Sequence, residues 1–132
     1  MQISRLSIVA FQETRHTFTA RCLEHDITAT GRTSEFAVDA LLKIVRAHIN
    51  FDCRHARAPL SAFGPAPRLY WDAFRRGSQH WVFDVLAEQT GTPATRMHVD
   101  VALVAQHPAV RPPLAVPPGL AAARPSTAVR IA

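Results

Sequence analysis

In TFTARCLEHDITATGRTSEFAVDALLKIVRAHI, residues 17–49, apolar side chains recur first at every second position and then at helical spacing. Phe18, Ala20 and Cys22 alternate with Thr17, Thr19 and Arg21, the pattern of a half-buried antiparallel strand with one wet face. After the polar corner Glu24-His25-Asp26, Ile27 and Ala29 alternate with Thr28 and Thr30 until Gly31 ends the strand. Thr33 is a good N-cap, because its hydroxyl can accept a hydrogen bond from a free amide of the first turn. Glu35 suits the positive end of the helix dipole. Ala37, Leu41, Ile44 and His48 then share one stripe, widened by Ala40 and Val45, so an amphipathic helix is expected over residues 34–49.

Working outward, residues 3–11 read as a strand with Leu6, Ile8 and Ala10 on one face, and residues 12–16 as a turn. Residues 51–66 are punctuated by Pro59, Gly64 and Pro65 and read as irregular. A short helix is expected over 67–76, with Pro67 in its first turn and Gly77 at its end. Residues 80–88 fit a strand or a helix equally, and 90–95 (TGTPAT) mark a loop. From 96 to 105, Met97, Val99, Val101 and Leu103 alternate with His98, Asp100, Ala102 and Val104, a strand expected to complete the sheet. The fold expected is α+β, an antiparallel β-β-β-α-β core within residues 1–105. Residues 51–95 are read as an inserted helix-containing segment, and residues 106–132 as a flexible, proline-rich tail.

The chain has 132 residues, 48% of them hydrophobic, which suits one small core. Its net charge of +5 is divided, because Arg111, Arg124 and Arg130 lie in the tail and all ten acidic residues precede residue 101. The remaining excess on the domain is modest and is no nucleic-acid signature. No secretory or membrane-spanning pattern is present, so a cytoplasmic location is expected, with Cys22 and Cys53 as free thiols. Cys22 lies on the apolar strand face and reads as a small core residue.

Candidate chemistry is sparse. A nuclease of the RNase H type needs several carboxylates converging on a divalent metal, and the strands offer only Glu24 and Asp26 at a corner. His16, His25 and Asp26, or Cys53 and His55 near His48, lack the doubled spacing of a zinc site. No catalytic residue, metal or cofactor is therefore expected. Two surfaces could bind a partner. One is the wet strand face of Thr17, Thr19, Arg21, Thr28 and Thr30; the other is YWDAFRR, where Tyr70, Trp71, Arg75 and Arg76 could anchor a protein or stack on bases.

The stretch Phe18–His48 resembles the HicB family of antitoxins, whose members commonly run from an aromatic-Ala-rich strand through a short corner into Gly-x-Thr-x-Glu-Glu-Ala. Gly31, Thr33, Glu35 and Ala37 match that run, while Phe36 stands at the second acidic position and Glu24-His25-Asp26 replaces a common Pro-Gly corner. The resemblance implies a partial RNase H-like sheet on one helix, without nuclease carboxylates. It also implies a toxin–antitoxin role, namely a homo-oligomeric, non-catalytic module that binds a small toxin RNase. A proline-rich tail stands where many members carry a DNA-binding unit. The alternative is a free-standing nucleic-acid-binding domain using the arginine-bearing surface.

Overall fold

The alternation in the first three strands becomes a meander. In the computed structural model, which describes residues 5–77, 79–89 and 92–109, β1 (Arg5–Thr14), β2 (Thr17–Cys22) and β3 (Ile27–Gly31) pair antiparallel in chain order. Helix α1 (Ser34–Arg54) follows, and the Thr33 hydroxyl accepts from the Phe36 amide at 3.1 Å as its cap. Then come helix α2 (Arg68–Arg76) and strands β4 (Gln79–Gln89) and β5 (Thr92–Val104). The sheet order is β3-β2-β1-β5-β4.

Three expectations are corrected. The sheet is mixed, because β5 lies parallel to β1, with Leu6 opposite Val99, Ile8 opposite Val101 and Ala10 opposite Leu103. Side-chain alternation is the same for either strand direction, and this register continues one apolar row across both strands. Residues 51–95 contribute more than a helix. The ambiguous stretch 80–88 is strand β4, antiparallel to β5, which itself begins at Thr92 inside the expected loop. Helix α1 also runs five residues past its expected end at 49. Its buried stripe continues through Val45, Ile49 and Asp52, and no glycine or proline interrupts it before Pro59. The buried Asp52 carboxylate accepts the Leu60 amide at 2.8 Å, tying the following loop back to the helix.

The wet face opposite α1 is also narrower than expected. Helix α1 packs on the face carrying Leu6, Ile8, Ala20, Cys22 and Val99. Helix α2 covers the other face over β1 and β5, enclosing Val9, Phe11, Leu23, Tyr70 and Ala73 in a second core. The cause lies in β1, where Val9 and Phe11 make the second face as apolar as the first. A strand apolar on both faces must be covered on both. Beyond β5, His107 packs edge-on against Phe11 with ring centroids 4.9 Å apart, so position 107 belongs to the domain. The rest of the expected tail, residues 110–132, lies outside the described residues.

Candidate functional site

Beside α2, strands β2 and β3 keep an open strip of the expected threonine face. Thr28 and Thr30 are exposed, and Thr17 and Arg21 are half-buried. Thr19 is buried, its hydroxyl donating to Glu13 Oε1 at 3.2 Å. Arg21 Nε donates to Asp26 Oδ1 at 2.7 Å, and its guanidinium lies 4.1 Å above the Tyr70 ring. The five sheet residues therefore share one face and Tyr70 joins them, but Tyr70 is only 7% exposed and acts as a wall of the second core.

The rest of the helical segment is less available than its sequence implies. Trp71 is half-buried against the second core. Arg75 donates to Asp72 at 2.8 Å, and this hydrogen bond is the first cause of the lowered pKa of Asp72. Arg76 is exposed. The arginines of the expected binding surfaces are thus partly matched: Asp26 serves Arg21, and Asp72 serves Arg75 with Arg68 beyond it at 4.0 Å.

A different surface emerges where β3 turns into α1. Thr30, Gly31, Arg32, Phe36, Asp39, Ala40 and Lys43 line a shallow groove of about 450 Å³. Gly31 makes this junction possible, since a Cβ there would stand 2.7 Å from the Ala37 amide nitrogen. The first turn of α1 thereby sits directly on the strand end. Phe36 lies off the inward stripe and is 63% exposed. Charged groups rim it, with Lys43 and Asp39 paired at 3.0 Å. In the sequence, Phe36 stands out only as a departure from an acidic motif position. Its place one residue before Ala37, outside the stripe, was the signal that it would be exposed.

The histidines and cysteines are dispersed. Among the described residues, no group of three or more His, Cys, Asp or Glu side chains is placed to hold a metal ion. His55 Nδ1 lies 2.8 Å from the Phe51 carbonyl and its ring stacks on Phe51, while neighbouring Cys53 is exposed. Cys22 is buried, and burial together with the Glu24 carboxylate pushes its thiol up to about 12. Two pairs that sequence reading missed lie across β4 and β5. His80 Nδ1 is 2.8 Å from Asp100 Oδ1, and His98 Nδ1 is 3.1 Å from Asp84 Oδ1. They become visible only once the register sets Asp84 opposite His98.

Compared with family models, curated proteins and solved structures, the chain matches none. No helix among the described residues is long and apolar enough to cross a membrane.

Proposed function

We propose that this chain is a non-catalytic binding module that holds a small cytoplasmic protein partner, of the toxin RNase kind, at the junction of β3 and α1. The observation that carries this reading is Phe36, an aromatic ring 63% exposed in a groove beside β3, an edge strand among the described residues. Interfaces concentrate their energy in such apolar anchors ringed by polar groups, and Arg32, Asp39 and Lys43 provide the ring here. An edge strand adds main-chain hydrogen bonds to an extended partner segment, and alternate side chains of that segment then fall on opposite faces. Thr28 and Thr30 would meet one set and Phe36 the other. The resemblance of Gly31, Thr33, Glu35 and Ala37 to the HicB run supplies the class of partner. The nucleic-acid reading draws less support, because the carboxylates of Asp26 and Asp72 already sit on Arg21 and Arg75.

The test is co-expression of the full chain with the small protein encoded beside its gene. The expected result is a co-purifying complex in which the neighbour's RNase activity is suppressed, with both effects lost in Phe36→Glu. An RNase activity that is unchanged by the wild-type chain would overturn the proposal.

A further inference from the structure

The outer edge of β4 is long and thinly covered. Its sequence, QHWVFDVLAEQ, holds no lysine or proline, two residues commonly used to blunt an edge strand. Trp81, Phe83 and Val85 point to the α1 side but are only half-buried, because α1 lies over β1, β2 and β3 and barely reaches β4. On the opposite face Val82 and Leu86 are 57% and 54% exposed. Both faces of this edge thus present apolar side chains, next to backbone groups that no strand among the described residues pairs with.

The pattern of β4 is complementary to itself. Antiparallel pairing about a twofold axis perpendicular to the sheet keeps each face continuous and fixes every residue pair once the central residue is named. Centred on Val82, the pairing sets Val82 against its own copy, Trp81 against Phe83 and His80 against Asp84. His80 uses Nδ1 for Asp100 at 2.8 Å, leaving Nε2 for Oδ2 of the second copy's Asp84, whose Oδ1 lies 3.1 Å from His98 Nδ1. Centred on Phe83, it would set Val82 against Asp84 and His80 against Leu86. Centred on Asp84, it would set two carboxylates face to face, which is destabilising. We propose that two copies of this chain pair antiparallel along β4 with Val82 on the twofold axis, merging their sheets and leaving both α1 helices on one face.

The experiment uses the full chain with the exposed Cys53 replaced by Ser, and compares Val82→Cys with Asp84→Cys under mild oxidation. Opposed Cβ atoms in the Val82-centred register stand roughly 5 Å apart, within disulfide reach. Val82→Cys is expected to form an intermolecular disulfide at least about 10-fold faster than Asp84→Cys, whose copies lie four pairs apart along the ladder. Sedimentation of the unsubstituted chain is expected to show a dimer at about 100 μM. Val82→Lys, with an unchanged circular dichroism spectrum, is expected to raise its dissociation constant by about 100-fold through like-charge contact at the axis. A monomer at that concentration, a dimer indifferent to Val82→Lys, or faster cross-linking at position 84 would overturn the proposal.

Discussion

Strands β3 and β4 both end the sheet, yet one is five residues long and lies under α1 while the other runs eleven residues beyond the helix's reach. At the β3 edge, inward Ile27 and Ala29 are sealed by the helix, and the exposed apolar surface is one ring, Phe36. At the β4 edge, apolar side chains are spread over both faces. A short edge with a single anchor suits a small unlike partner. A long edge whose pattern matches its own reverse suits a second copy. The difference follows from where α1 is fixed. Gly31 brings its start against the end of β3, and the Asp52 carboxylate ties its far end to the loop at Leu60.

Those two anchors are the places where the β3 edge breaks first. Gly31→Ala puts a methyl group 2.7 Å from a backbone nitrogen, so strand and helix must separate. A loss of about 2–4 kcal/mol is expected by urea unfolding, with the β4 edge unaffected. Asp52→Ala leaves the Leu60 amide without its acceptor, at a residue held with φ of 60°. A loss of about 1–3 kcal/mol is expected by the same measurement. Phe36→Ser removes an exposed ring, so stability should stay within about 0.5 kcal/mol while partner binding falls.

Cys22 tests the sealing of the β3 side more finely. Its folded pKa of about 12 lies above the ordinary 9.0, so the folded state holds the thiol proton more tightly than the unfolded chain does. The contribution is complete below pH 9.0 and is lost as pH climbs toward 12, at no more than about 1.4 kcal/mol per pH unit. At neutral pH a thiol reagent should label Cys53 at once and Cys22 only on unfolding; prompt labelling of both would show that α1 does not seal β2 and β3.

The β3 side was legible in the sequence because each segment there carries one clean period, and Thr33 and Gly31 mark where the period changes. The β4 side was not. In HWVFDVLAE, apolar residues at 81, 82, 83, 85 and 86 fit strand and helix alike, since neither face of this edge is fully buried. The parallel pairing of β5 with β1 was hidden because alternation carries no strand direction. Cover by α2 did have a signal, as Leu6 to Phe11 hold apolar residues on both faces. Alternation places the threonines on one face, but the burial of Thr19 and the seat of Arg21 on Tyr70 depend on tertiary contacts that spacing does not encode.

Hydrogen exchange of the full chain at about 1 μM and about 200 μM compares the two edges in one measurement, since only an associating edge responds to protein concentration. With pairing along β4, amides of residues 79–86 are expected to slow markedly at the higher concentration while those of residues 27–31 exchange at one rate throughout. Slowing at residues 27–31 with no change at residues 79–86 would contradict it.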